Sequence, residues 1–211
     1  MQIDLTQASY DRLADEYTRR MLAELDSKPL DRELLDSFAR RVAGKGRACD
    51  LGCGPGQVAR YLRGRGADVF GIDLSPAMIE RAKREHPGIE FQVGDMRALT
   101  LPDEQLGGIA AFYSLIHIPR ADVTAVLREL RRVLQPEGIL LISFHRGDEV
   151  RHFDQLWELP VSLDYVFFQR NEMVGYLQDA GFVIQEIVER ESYPDEIESN
   201  RVYILAQKPS R

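Results

Sequence analysis

The chain has 211 residues, 44% of them apolar types and 29% charged. That balance provides enough apolar surface for a core and excludes both a disordered chain and a disulfide-stapled mini-fold. Lys and Arg number 27 against 34 Asp and Glu, a net charge of −7, so no nucleic-acid partner is expected, because phosphate neutralisation needs an excess of clustered cations.

The elements follow in chain order. Leu13, Ala14, Tyr17, Met21 and Leu25 recur at helical spacing and predict a helix over 9–25 with Ser9 as its N-cap. A second helix is expected over 31–42. Residues 47–51 read as a short strand that ends in the run GCGPG at 52–56. The segment 57–63 is helical until Gly64 and Gly66 break it. Residues 68–73 form a second strand, after which Ser75 caps a helix that has Pro76 at its first position and reaches residue 85. A third strand over 89–93 leads into Gly94-Asp95-Met96, and a fourth is expected over 109–113. A helix over 122–134 then precedes a fifth strand over 139–144, whose unbroken apolar run suits cover on both faces.

Beyond that strand the alternation loosens. Residues 145–160 read as irregular and 161–168 as a short extra strand; 171–180 is a helix ended by Gly181, and 182–189 pairs with 201–207 as an antiparallel hairpin. The alternation predicts an α/β fold, a single doubly wound, mostly parallel seven-stranded sheet with a closing antiparallel hairpin. The two cysteines, Cys49 and Cys53, lie too close together for a disulfide framework and fit a reducing compartment. No signal-type apolar run opens the chain, and the longest apolar stretch, at 139–144, is far short of a membrane span. A cytoplasmic protein without a membrane partner is therefore expected.

In a doubly wound sheet the loop after the first strand is a ligand site. Here it reads Asp50-Leu51-Gly52-Cys53-Gly54-Pro55-Gly56. A dinucleotide fingerprint would need glycine at Gln57, and no Gly-Lys-Ser/Thr of a phosphate loop follows. Such a loop can hold a nucleoside without holding phosphate. D-L-G-C-G-P-G, an acid closing the second strand and G-D-M closing the third resemble the class I S-adenosylmethionine-dependent methyltransferases over residues 45–145.

The resemblance implies S-adenosylmethionine as cofactor and S-adenosylhomocysteine as product. It places Asp50, Gly52 and Gly54, with the Cys53 backbone, around the methionine part and ribose. Asp73 would accept both ribose hydroxyls, Leu74 would pack on the adenine, Asp95 would take its amino group and the Met96 N–H a ring nitrogen. Phe112 and Tyr113 would reach the cofactor. The residue chemistry agrees, since a diol and an amine are donors suited to carboxylates. The plain alternatives are a tight turn for the glycines and a helix cap for the acids, although Ser75 can cap in place of Asp73 and leave it free.

The same resemblance assigns residues 1–44 to N-terminal helices that act as a lid, 45–145 to the cofactor-binding core, 146–170 to an acceptor-side insertion and 171–211 to the closing helix and hairpin of one domain. In the lid, Tyr10-x-x-x-Ala14-x-x-Tyr17 puts both tyrosines on one helix face, over the cofactor or simply packed. Many relatives open the fourth strand with Phe-Asp, whereas this chain has Leu106-Gly107. No Asn/Asp-Pro-Pro-Tyr/Phe tetrapeptide occurs, which excludes nucleobase amino methylation by that motif and, with the acidic charge balance, points to a small-molecule acceptor with an O, N, S or C nucleophile. Methyl transfer from a sulfonium is an in-line displacement, in which a base is needed only if the nucleophile arrives protonated. His117 and His145 are the candidate catalytic residues, with a structural hydrogen bond as the alternative for each.

Trp157, Tyr165, Phe167 and Phe168 could line an acceptor pocket, fill the core or form a dimer surface, and the chain could be a monomer or a homodimer. Arg40, Arg41, Lys45, Arg47, Arg60, Arg63 and Arg65 read as a solvated face. The acids Glu186, Glu189, Glu191, Asp195, Glu196 and Glu198 read as a solvated hairpin tip. No cluster has metal-ligand spacing, so no metal is expected. Two other readings stay open: a non-catalytic binder of the same cofactor, and a nicotinamide-dependent oxidoreductase, which Gln57 and Pro55 disfavour.

Overall fold

The computed structural model describes residues 2–194 and 196–210. Strands β1 (Ala48–Leu51), β2 (Val69–Asp73), β3 (Glu90–Val93), β4 (Leu106–Phe112), β5 (Leu134–His145), β8 (Val183–Arg190) and β9 (Arg201–Gln207) make one sheet in the order β3-β2-β1-β4-β5-β9-β8. The first five run parallel, and β9 is antiparallel to both β5 and β8. The expected α/β architecture is therefore the observed one.

Side-chain alternation builds the two faces. Ile109 and Ala111 of β4, Leu140, Ile142 and Phe144 of β5, and Val202 and Ile204 of β9 point to one face. There α5 (Arg120–Val133) and α6 (Arg170–Asp179) cover them. Ala110, Leu141, Tyr203 and Leu205 point to the other, beneath α2 (Pro29–Val42), α3 (Gln57–Gly64) and α4 (Pro76–Glu85). A buried strand that alternates between two apolar environments has to be apolar throughout.

Several expectations are corrected. The first helix, α1, spans Gln2–Met21 and is followed by a 3-10 turn at Glu24–Ser27. Ser9 is therefore not a cap but a mid-helix residue. Its hydroxyl donates to the Leu5 carbonyl (2.7 Å) and accepts from the Ser162 N–H (2.9 Å). The region expected to be irregular contains β6 (Val150–Leu156), which pairs with β7 (Leu159–Val166) as a separate hairpin. Its two-residue turn, Trp157-Glu158, holds both residues at positive φ, +50° and +66°, the primed geometry that matches strand twist. Mostly exposed side chains on β6 hid the strand, because no apolar period was there to find. The acidic tip is corrected too: Glu196 is drawn inward, as described below, while Asp195 lies outside the described residues.

Part of the basic face, Arg41, Lys45, Arg47 and Arg65, is ion-paired to surface acids. Arg47 meets Glu90 at 2.8 Å and Arg65 meets Asp36 at 2.7 Å. Gly107 has a steric reason, since a Cβ there would run into the Lys45 carbonyl. No helix among the described residues is long and apolar enough to cross a membrane.

Candidate active site

Strand order reverses between β1 and β4, and a crevice opens there beyond the carboxyl ends of the strands. The glycine loop that leaves β1 forms its floor. The Gly52 and Cys53 N–H groups both donate to the Ile72 carbonyl (2.7 and 3.0 Å), and the Gly54 N–H donates to Asp73 Oδ2 (2.8 Å). Gly52 sits at φ +73°, and a Cβ on it would overlap Ser114. Asp50 lies beneath the loop. One of its oxygens accepts from the Ala59 N–H at 2.9 Å, tying strand to helix, and burial pushes its carboxyl up to about 8.

A first cavity of about 240 Å³ is lined by Gly52, Gly54, Asp73, Leu74, Asp95, Met96, Phe112, Tyr113 and His117, with Tyr10 and Tyr17 of α1 above them. Asp73 is not free in the sense expected. Ser75 does cap α4 (Met78 N–H, 3.1 Å), yet Asp73 also accepts the Ser75 N–H at 2.8 Å. The carboxylate is aimed by two backbone donors and keeps lone pairs for a further partner, while burial raises its carboxyl. Asp95 is forked by its neighbour Arg97, through the backbone N–H (2.9 Å) and the guanidinium (2.8 Å). The Ser114 hydroxyl, buried on the same wall, has no hydrogen-bond partner.

A second cavity of about 520 Å³ shares Tyr10, Tyr17, Gly52, Gly54, Phe112 and Tyr113 with the first. Asp50, Cys53, His145, Trp157 and Tyr165 also line it. Tyr113 stands between the two at φ +51°, a costly conformation for a bulky residue. Its N–H bonds to the Ser143 carbonyl (3.1 Å) and hydroxyl (3.0 Å), which hold it there.

His117 gives Nδ1–H to the Asp164 carbonyl (3.1 Å), because a carbonyl can only accept; Nε2 must then accept from the Tyr10 phenol (2.8 Å). Burial pushes its pKa down to about 4. His145 bonds to the Ser199 hydroxyl (3.0 Å) and stacks on Phe167, and burial together with nearby Arg201 brings it down to about 3. Both rings are uncharged at neutral pH. The candidate aromatics separate: Trp157 and Tyr165 face the cavity, whereas Phe167 and Phe168 are fully buried core. The Cys53 thiol is buried, and burial pushes its pKa up, so it is not a reactive thiolate.

Residues 48–138 match the family model described as "Methyltransferase domain". Among curated proteins the chain is 30% identical over 151 residues to a malonyl-[acyl-carrier protein] O-methyltransferase of Enterobacter lignolyticus, covering 71% of this chain and 57% of that protein. The matched stretch is a methyltransferase domain, and over it the chain is similar to the S-adenosylmethionine-dependent methyltransferases. The protein of the same description from Halorhodospira halophila is 30% identical over 192 residues, or 88% of this chain and 63% of its own length. The chain thus spans roughly three fifths of these two relatives. Among solved structures, the DhpI–SAH complex superposes with a TM-score of 0.74 at 23% identity, covering 99% of this chain and 98% of that one.

Every residue singled out for the methyltransferase cofactor borders one cavity or the other. Three features were missed. Asp11 accepts from the Ser75 hydroxyl (2.5 Å) and the Ala77 N–H (3.1 Å), pinning α1 to α4. Arg97 covers Asp95. A buried ionic network of Asp31, Arg190, Glu196, Lys28 and Arg201 underlies the second cavity. Only Arg97 had a sequence signal, as a neighbour of an acid at a strand end.

Proposed function

We propose that this protein transfers a methyl group from S-adenosylmethionine to a nucleophilic atom of a small molecule. The cofactor, when bound, supplies a methyl group already activated on a sulfonium. The reading is carried by one observation: the glycine loop, Asp73 and Asp95, at the ends of three successive strands, converge on the first cavity.

The cavity wall fits that cofactor. Its floor is a glycine cradle that a Cβ would fill at Gly52, a buried carboxylate faces it from Asp73, and the Ser114 hydroxyl there has no partner within the protein. In this reading Asp73 receives the ribose hydroxyls, Leu74 packs on the adenine, and Asp95 and the Met96 N–H hold its polar edge. Gly52, Cys53, Gly54 and Asp50 border the methionine end, and Phe112, Tyr113, Tyr10 and Tyr17 close over it. Asp95 must then share its oxygens with Arg97.

The acceptor enters the second cavity, whose size is that of a small-molecule site. Tyr10 and Tyr17 exclude water above the shared wall, and alignment in a closed site can supply on the order of 7–11 kcal/mol in favourable cases. His117 orients the Tyr10 phenol, because its Nε2 is already occupied by that proton. Neither histidine is a free-standing base in this arrangement, which suits an acceptor whose lone pair needs no deprotonation.

The test is calorimetric titration with S-adenosylhomocysteine, with NADH as control. Micromolar binding of S-adenosylhomocysteine alone is expected. Binding of NADH in its place would overturn the reading.

A further inference from the structure

Four buried side-chain polar atoms among the described residues lack a hydrogen-bond partner: Gln57 Oε1, His86 Nε2, Ser114 Oγ and Arg201 Nε. Leaving such atoms unpaired is costly, so their location is informative. All but His86 lie on the walls of the two cavities. Arg201 stands apart from the others because it carries charge.

We infer that Arg201 is the anchor for a carboxylate on the methyl acceptor, an inference that rests on the proposed methyltransferase reading. The Arg201 side chain is 3% exposed, and its outer nitrogens are spent. Nη1 donates to the Ser199 hydroxyl (2.6 Å), and Nη2 donates to the Ile197 carbonyl (2.8 Å) and faces Glu196 at 3.4 Å. The planar guanidinium is therefore fixed, with one N–H edge left over on a cavity-lining residue. β9 pairs Arg201 with His145 of β5, which sets it at the end of the second cavity away from the glycine loop.

The rest of the hydrogen-bonding inventory points to an oxygen-rich partner. Glu24 has its two oxygens engaged by Gln57 (2.8 Å) and Lys28 (2.6 Å). Glu196 takes both outer nitrogens of Arg190 (2.6 and 2.9 Å) and the Tyr193 N–H (2.9 Å). Lys28 has used two protons, on Glu24 and on Glu196 at 3.1 Å, and keeps a third. At this end the unspent charged capacity is donors, on Arg201 and Lys28, beside one neutral acceptor, Gln57 Oε1. The cations Lys28, Arg190 and Arg201 also balance Glu24, Asp31 and Glu196, so one added carboxylate is tolerated where a phosphate dianion is not. The Tyr113 ring, 6.0 Å from the Arg201 guanidinium carbon, and the stacked His145 and Tyr165 suit a flat apolar body next to that carboxylate.

The experiment uses the full chain, with and without saturating S-adenosylhomocysteine. Benzoate and indole-3-acetate are titrated beside benzamide, indole-3-acetamide and phenyl phosphate, and binding is read by calorimetry and thermal shift. The acids should bind at least ten-fold more tightly than their amides. Arg201→Lys should erase that preference and leave S-adenosylhomocysteine affinity within two-fold of wild type. Lys28→Met, a second variant, should weaken acid binding in the same direction and covers the case in which Arg201→Lys does not fold. Amides binding as well as acids, no acid binding, a preference surviving in Arg201→Lys, or phenyl phosphate outcompeting benzoate would each overturn the anchor. Failure of S-adenosylhomocysteine to bind would strike the cofactor reading instead, and the acid preference of the unliganded protein would still be read.

Discussion

The Tyr10 phenol donates to His117 Nε2 across 2.8 Å and joins residues 107 positions apart. Together with Ser9 on the Ser162 N–H and Arg12 on the Pro160 carbonyl (2.6 Å), it fastens α1 to the β6–β7 hairpin above both cavities. Tyr10→Phe keeps the ring and removes the donor, leaving a buried imidazole nitrogen unpaired at a cost of about 1–3 kcal/mol. At about 2–4 °C per kcal/mol for a chain of this size, the melting temperature should fall by several degrees. Limited proteolysis should then cut first within α1. An unchanged melting temperature would mean that the bond contributes nothing to closure.

His117 and His145 set an acid limit on stability. Their native pKa values, about 4 for His117 and about 3 for His145, lie below the ordinary value near 6.5 because burial disfavours the cation, with nearby Arg201 adding to the effect at His145. Between pH 6.5 and 4 the unfolded chain binds protons that the native state refuses, so stability rises with pH across that window and is fully present above it. In urea denaturation each histidine should contribute a loss on the order of 2–3 kcal/mol on going from pH 7 to 4.5, offset in part by Asp50, whose raised carboxyl is protonated in the native state across the same window. His117→Asn or His145→Asn should flatten the slope, whatever its effect at pH 7. Parallel slopes for wild type and both variants would refute the assignment.

Asp73→Ala should weaken S-adenosylhomocysteine affinity by about 1.5–3 kcal/mol, the scale of hydrogen bonds to a charged group. The substitution also releases the Gly54 and Ser75 N–H groups, so Asp73→Asn is the companion variant that retains a single acceptor oxygen. It should fall between Ala and wild type. Calorimetry giving wild-type affinity for Asp73→Ala would remove Asp73 from the cofactor site.

Local chemistry made the lining of the first cavity legible. A strand end, a glycine run and the next acid occupy adjacent positions, so Asp73 and Asp95 could be singled out before any contact was known. The ionic network beneath the second cavity and part of the hairpin above it were not legible, for two physical reasons. Asp31 and Arg190, 159 positions apart, meet only through tertiary folding, and a charged residue in isolation reads as solvated, which is how Glu196 was misjudged. Strand β6 has little apolar period because much of it is exposed, whereas β7 alternates and was legible as the extra strand expected over 161–168; the primed turn between them uses Trp-Glu where Asn-Gly would have signalled it. Ser9 misled because the residue type that caps helices also bonds back one turn within them.

Gly56 tests the loop without touching either cavity. It adopts φ +87° at the start of α3, and a Cβ there would lie 2.7 Å from Phe91 Cζ and 2.9 Å from His86 Cδ2. The left-handed conformation alone costs a non-glycine residue about 1–2 kcal/mol, and overpacking adds about 1–3 kcal/mol. Gly56→Ala should therefore lose at least about 2 kcal/mol in chemical denaturation, with weaker cofactor binding as a consequence of the displaced loop. Gly64→Ala, in open space and without positive φ, is the control and should be neutral or slightly stabilising.

Arg190 holds the ionic network together. Its side chain is 8% exposed; Nε donates to the Tyr203 hydroxyl (2.9 Å), and the outer nitrogens reach Glu196 and Asp31, the latter at 3.2 Å. Burial raises the Asp31 carboxyl, and the Arg190 charge works against that rise. In Arg190→Met, Asp31 at 1% exposure retains only the Tyr203 hydroxyl (3.0 Å) and the more distant Lys28, so an uncompensated charge is left inside. Breaking such a pair costs about 3–5 kcal/mol, more than the pair itself contributes, because the penalty is mostly the desolvated survivor. Arg190→Met/Asp31→Asn should therefore be more stable than Arg190→Met alone. Glu196, held down to about 2 against its burial by hydrogen bonds from Arg190 and the Tyr193 N–H and by the charges of Lys28 and Arg201, keeps all but the first of these partners in either variant. A double variant no more stable than the single one would show that Arg190 acts through packing on Tyr193 and Tyr203, over whose rings its guanidinium lies at 3.9 and 5.7 Å, and not through charge.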